Sequence, residues 1–233
     1  MKKFYILLGS TICFFALIFI SVPYLVDDKK STKGNEKNID LFNSINRLNE
    51  SQQKLQYSLL NKDNLYENYS HNYAIKIPEG YKKNKGIGKY SSVQFYNEQL
   101  GYVVAINIVK TGYEHLGLHG NNSIISKLAK EFKTDLSLNE IIENAIIDRG
   151  YNSPKLLNSE KVRYNNRDFL NIYYKAYQNN SPVMMSNFMT FHKDYLYFFQ
   201  FVSNQSTSIT NWKNEIEKSM SNLFIHKFIT KKD

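Results

Sequence analysis

Residues 187–205 read NFMTFHKDYLYFFQFVSNQ. The polar triplet His192, Lys193 and Asp194 separates two runs rich in aromatic and aliphatic residues, the pattern of a hairpin that turns at HKD. Side chains alternate across a strand, so Tyr195, Tyr197, Phe199 and Phe201 face one way. Leu196, Phe198, Gln200 and Val202 face the other. A strand that is apolar on both faces is covered on both faces. The hairpin therefore belongs to a sheet buried between two layers.

Outward from this hairpin the pattern continues. NNSP turns into VMMSNFMTF, and NNRD links LLNSEKVRY to FLNIYYKAY, which makes four strands. Nearer the start, YSHNYAIKIP, KYSSVQFYN and YVVAINIVK read as three more, the first ending at Pro78. Helical signals lie between the two groups. Ile125, Leu128, Ala129 and Phe132 share one face. SLNEIIENAIIDRG places Ser137 and Glu140 at capping-box spacing and Gly150 as a stop, with an apolar face of Leu138, Ile141, Ile142, Ala145 and Ile146. A closing helix carries Ile209, Trp212, Ile216, Met220 and Leu223. The order of three strands, helices, four strands and a helix implies an α+β domain: a central antiparallel sheet with helices on both faces. The expected covers are the 137–149 helix and the C-terminal helix.

The N-terminus begins MKKFYILLGSTICFFALIFISVPYLVDDKK. Residues 4–26 carry no charge. At about 1.5 Å per residue they span about 34 Å, enough for a hydrocarbon core of about 30 Å. The run is longer than a cleaved signal peptide needs and lacks a small-x-small pair, so residues 1–26 are read as an uncleaved transmembrane signal anchor. Cys13 is not a lipoprotein cysteine. Ser10, Thr11 and Ile12 precede it without the small residue such processing needs, and the apolar run continues beyond it. Lys2 and Lys3 are expected in the cytoplasm and the domain outside it, in the periplasm or at the cell surface.

A polar linker follows at 27–38 and a stalk helix at 39–65, leaving the α+β domain at 66–233. In the stalk, Leu41, Ile45, Leu48, Gln52, Leu55 and Leu59 fall at heptad spacing. This stripe is expected to lie against the chain's own domain, leaving a monomer. A short coiled-coil dimer is the alternative.

The chain has 233 residues and a net charge of +9. Lys2 and Lys3 aside, the basic residues are spread along the chain, which describes a solvated surface or one attracted to anionic headgroups. No nucleic-acid-binding signature is present, and none is expected as a partner. Cys13 is the sole cysteine, so the domain has neither a disulfide nor a thiol nucleophile.

Three segments between residues 69 and 228 resemble the PsbP-like superfamily. YAIKIPEGY resembles its first strand, VRYNNRDFLNIYYKAY its hairpin, and YLYFFQFVSNQSTSITNWKNEIEKSMSNLF its closing strand and helix, ending here in Ser221 and Phe224. The chain departs from the family at Tyr81, where Trp is frequent, and at Asn166, where Gly is frequent. The resemblance implies a PsbP-like sandwich. It also implies a shared theme of binding other proteins without catalysis, since relatives include photosynthetic accessory subunits, a Ran-binding nuclear factor and chaperones of secreted effectors.

No residue is assigned a catalytic, cofactor-binding or metal-ligating role, and no cofactor is expected. EHLGLH sets His115 and His119 four apart beside Glu114, a metal-like spacing on a helix, but Gly112, Gly117 and Gly120 favour a loop. GIGK at 86–89 lacks the earlier glycine and following hydroxyl of a phosphate loop. YKKNKGIGKY reads as a lysine-rich hairpin connection. His71, His192 and His226 read as isolated strand, turn and terminal residues. The expected function is a non-catalytic, membrane-anchored extracytoplasmic accessory protein that binds another protein. The alternative is a small-molecule or lipid-binding module with an apolar cleft beside the sheet.

Overall fold

The computed structural model describes residues 50–85, 93–110, 118–134, 136–147, 151–203, 209–226 and 229. The uncharged run 4–26 expected to form the anchor, the linker and the first part of the expected stalk lie outside them. No described helix is long and apolar enough to cross a membrane.

The hairpin at HKD joins β8 (Ser181–His192) to β9 (Tyr195–Ser203). Before it come β6 (Asn152–Tyr164) and β7 (Arg167–Gln178), so four long strands form a meander. Its two earlier turns are paired asparagines with positive φ: Asn165 (45°) and Asn166 (63°), then Asn179 (49°) and Asn180 (64°). Two-residue hairpins whose twist matches the flanking strands need positive φ at both positions, and Asn tolerates it best after Gly. The Asn at 166 thus adopts the positive φ that Gly would also allow.

On its other side β9 pairs along its whole length with β5 (Tyr102–Lys110), from Tyr102 opposite Ser203 to Lys110 opposite Tyr195. β4 (Val93–Asn97) and β3 (Lys82–Lys85) complete a seven-stranded antiparallel sheet, in the order β3-β4-β5-β9-β8-β7-β6. A second, three-stranded sheet has the order β1-β2-β10 and consists of Leu65–Asn68, Tyr73–Lys76 and Leu223–Ile225. The sequence reading had placed β2 among the central strands and had not separated β1, β3 or β10.

The strand β9 is buried on both faces, as its two apolar edges require. Leu196, Phe198 and Val202 pack with Ile124, Ile125, Leu128 and Ala129 of a helix at Leu118–Thr134 and with Ile146 of one at Leu136–Ile147. Tyr197, Phe199 and Phe201 pack with Trp212, Ile216 and Met220 of the Ile209–Ser221 helix. They share that cluster with Tyr73, Ile75, Leu223 and Ile225 of the small sheet. The expected covers were the 137–149 and C-terminal helices; each face has a second cover. A helix about 10 Å across cannot shield seven strands spaced about 4.8 Å apart. We call the helix at 50–59 α1, and those at 118–134, 136–147 and 209–221 α2, α3 and α4.

The outer face of the small sheet is also covered. Tyr57 and Leu60, from α1 and its end, pack with Leu65 against Ala74, Phe224 and Ile229. The helix runs over 50–59 among the described residues, and β1 opens at Leu65, one residue before the boundary drawn at 66. The heptad stripe itself does not pack inward where it is described. Leu55 is 59% exposed and Leu59 76%. The face that meets the domain is the one bearing Gln53, Tyr57 and Leu60, because Phe224 and the turn at Asn165 offer partners there and nothing described lies over the leucines.

Candidate functional site

The β6–β7 turn and α1 come together at one edge of the molecule. Asn165 Nδ2 donates to the carbonyls of Ser221 (3.1 Å) and Leu223 (2.7 Å), which ties the turn to the start of β10. Gln53 Nε2 donates to the Asn165 carbonyl at 2.8 Å, which ties α1 to the turn. Farther along α1, Tyr57 sits edge-on to Phe224, with ring centroids 5.5 Å apart, and donates to the Glu67 carboxylate. Tyr69 donates to the other Glu67 oxygen at 2.6 Å, and Lys62 lies 3.4 Å from the first. Burial alone would raise the Glu67 carboxyl; the donors from Tyr57, Tyr69 and Lys62 outweigh it and hold it below the usual range.

Between α1 and the turn lies a recess of about 380 Å³ lined by Gln52, Gln53, Gln56, Arg163, Asn165 and Asn166. Its walls are carboxamides and one guanidinium. A carboxamide both donates and accepts hydrogen bonds, as a peptide group does. A guanidinium only donates and suits a carboxylate. Arg163 is 59% exposed and lies 3.9 Å from Asp168, whose closer cation is Lys161 at 3.3 Å. Arg163 Nη2 also lies 3.5 Å from the Asn166 carbonyl; these long contacts can be exchanged for a ligand while Asp168 keeps Lys161. The recess is polar, in contrast to the apolar cleft of the alternative sequence reading.

Behind the turn, Arg167 is buried. It donates from Nη1 to the Phe191 carbonyl (2.9 Å) and from Nη2 to the Ile225 carbonyl (3.4 Å) and to His192 Nδ1 (3.2 Å). None of these three partners is a carboxylate. Burial pulls the guanidinium down to about 10, with Tyr197 acting in the opposite sense, so it remains charged at neutral pH. His192 is pushed down to about 3, first by burial and then by Arg167, Lys193 and His226. It is a neutral imidazole that accepts at Nδ1.

The three histidines read as isolated in the sequence converge here. Tyr197 OH donates to the His71 carbonyl at 2.6 Å, and its ring lies 6.4 Å from that of His192. The His71 ring meets Tyr195 edge-on at 5.5 Å. His226 Nε2 lies 3.9 Å from Glu50 of α1. The His226 amide donates to the Asn72 carbonyl at 2.8 Å, so residues 154 apart in sequence meet because β2 and β10 are neighbours in the small sheet; no local spacing announces this.

On the opposite face of β7 and β8 a second polar group is closed. Asn121 of α2 accepts from the Phe191 amide (2.7 Å) and donates to the Asp168 carbonyl (3.2 Å). Thr190 Oγ1 lies 2.9 Å from that same carbonyl. This group ties α2 to the sheet.

The other sequence candidates fall elsewhere. Glu114, His115 and the 86–89 segment lie outside the described residues. His119 and Gly120 belong to the first turn of α2, where a loop had been expected. Glycine is tolerated there because the first amides of a helix have no intrahelical acceptor to lose. In the lysine-rich connection, Lys83 stands 4.7 Å over the Tyr66 ring and Lys82 lies 3.6 Å from Glu98. Among the described residues no group of three or more His, Cys, Asp or Glu could hold a metal ion.

No protein-family model and no curated protein matches the chain. Solved structures do. The solution structure of cyanobacterial PsbP from Synechocystis sp. PCC 6803 has a TM-score of 0.47 and 14% identity, over 70% of this chain and 91% of that one. A crystal structure from Bacteroides thetaiotaomicron VPI-5482 has a TM-score of 0.48 and 12% identity over 70% of this chain; the match spans 48% of that protein, about half its length. The Saccharomyces cerevisiae Ran-binding protein Mog1p has a TM-score of 0.42 and 7% identity, over 69% of this chain and 94% of that one. PsbP and Mog1p thus stand among the structural neighbours of this chain.

Proposed function

We propose that this protein is a membrane-anchored, extracytoplasmic accessory protein that binds another protein without catalysing a reaction, and that the recess between α1 and the β6–β7 turn receives an extended acidic segment of that partner. One observation carries the reading. Five of the six residues lining the recess are carboxamides and the sixth is Arg163. Carboxamides match the alternating donors and acceptors of an extended main chain, and the guanidinium matches a carboxylate on it.

The uncharged run 4–26 supports the anchor, and the excess of basic residues across the rest of the chain supports an acidic partner. The test is Arg163→Glu in the full-length protein, in its own membrane. It should abolish partner association. Because the new carboxylate would lie opposite Asp168, some loss of stability is also expected, and Arg163→Gln, expected to weaken association while leaving the melting temperature within about 2 °C, separates the two effects. Association that survives Arg163→Glu would remove the recess from the interface.

A further inference from the structure

Where β6 begins and β7 ends, the sheet has a corner rich in lysine. Lys155 of β6 lies directly opposite Lys175 of β7. Like charges that face each other across a ladder repel, so this pair weakens the sheet unless an anion sits on it. Two residues before Lys175, and on the same face, the Tyr173 ring stacks on buried Trp212 at 5.9 Å. That stack brings Lys213 of α4 over the Tyr173 ring, with Nζ 5.4 Å from its centroid. Two residues after Lys175, the exposed Tyr177 ring lies 5.4 Å from Lys175 Nζ. Among the described residues, none of the three lysines has a carboxylate partner. The α4 carboxylates Glu215 and Glu217 accept from Tyr81 and Tyr164 instead. We infer that this corner docks on the anionic phosphate headgroups of a membrane surface.

Three features favour headgroups over an acidic protein. Lysine is a compact point charge suited to phosphate, whereas the fork that matches a carboxylate is Arg163, in the recess. The corner also exposes apolar groups. One is Tyr177; the other is Leu157, the bulged residue between Leu156 opposite Tyr174 and Asn158 opposite Tyr173. Lysines beside an amphipathic tyrosine and an apolar side chain suit the boundary between headgroups and acyl chains. The third feature is placement. At about 3.3 Å per residue, Lys175 lies about 26 Å along β7 from Arg167, at the end away from the β6–β7 turn. A bilayer against the corner therefore leaves the recess uncovered for a partner. The inference rests on the reading of the protein as membrane-anchored, which keeps a bilayer within reach.

The test uses the full-length protein with Cys13→Ser and with an environment-sensitive dye on Ser181→Cys, an exposed position beside the corner. It is reconstituted into vesicles of phosphatidylcholine, with or without phosphatidylglycerol. The dye emission should move to the blue only when phosphatidylglycerol is present, and the shift should fade as salt is raised. The triple variant Lys155→Gln, Lys175→Gln, Lys213→Gln should lose the shift. Lys155→Gln alone should leave the melting temperature no lower, since it removes a repulsion. Equal emission in both vesicles, or a shift that survives the triple variant, would overturn the inference. So would a shift produced in neutral vesicles by soluble polyglutamate, which would mark a protein-docking surface, or by inorganic phosphate, which would mark a free-ion site. Failure of the anchor reading has a different signature: the chain would not enter neutral vesicles at all. The same full-length chain is then mixed with preformed vesicles, and the same comparison decides the corner.

Discussion

Arg167 Nη2 lies 3.2 Å from His192 Nδ1. A guanidinium can only donate, so Nδ1 must accept and the imidazole proton sits on Nε2. A histidine held neutral down to about 3 makes folding sensitive to acid. Its unfolded counterpart protonates near 6.5, so between about 6.5 and 3 the unfolded chain binds the extra proton and stability falls as the pH falls. The expected contribution approaches about 1.4 kcal/mol per pH unit in the middle of that window. His192→Asn keeps an acceptor for Arg167 and does not titrate. The melting temperature of the variant should therefore fall less between pH 7 and pH 5 than that of the unmodified protein. Equal slopes in the two proteins would contradict the burial of a neutral His192.

Arg167 itself has carbonyls and a neutral imidazole as its partners, so its loss leaves the Phe191 and Ile225 carbonyls short of a donor. A buried polar group left without a partner costs about 1–3 kcal/mol. Arg167→Met fills similar volume, and the expected loss is about 2–4 kcal/mol in denaturant unfolding. A loss below about 0.5 kcal/mol would mean that the guanidinium is not held as described.

On the other face of the same strands, Asn121 accepts from the Phe191 amide at 2.7 Å and reaches the Asp168 carbonyl at 3.2 Å. Asn121→Ala should destabilise the protein by about 2–3 kcal/mol, whereas an exposed control such as Ser123→Ala should change stability by less than about 0.5 kcal/mol. Equal effects at 121 and 123 would remove the network from the account of how α2 is fixed.

Much of the sheet was legible because its signals are local. The alternation in YLYFFQFV fixes both faces of β9 within eight residues, and the paired asparagines at 165–166 and 179–180 mark turns that need positive φ. The small sheet was not legible. β1 has four residues and β10 three, too few for a periodic pattern, and β10 finds β2 across about 150 positions of chain. The recess was hidden for the same reason. Gln52, Gln53 and Gln56 meet Arg163, Asn165 and Asn166 only after the helix docks, and carboxamides have no diagnostic spacing. Of the heptad, Leu55 and Leu59 point away from the domain where packing on it was expected, because Tyr57 and Leu60 have Phe224 to meet.

Tyr57 provides a test of that docking. Its ring meets Phe224 edge-on and carries Lys62 Nζ 3.5 Å from its centroid. Tyr57→Ala should release α1 from the small sheet, so that amide exchange across 50–59 speeds up by at least about tenfold while β7, β8 and β9 stay protected. Unchanged exchange in 50–59 would show that the helix is held elsewhere.

The central claim is that the recess beside Arg163 is where a partner protein binds. The most direct measurement is photo-crosslinking in the native membrane from a photoreactive amino acid at Gln56, with and without Arg163→Glu. The account predicts an adduct whose mass differs from twice that of the chain, lost with Arg163→Glu. An adduct that persists with Arg163→Glu, or only a homodimeric adduct, would contradict it.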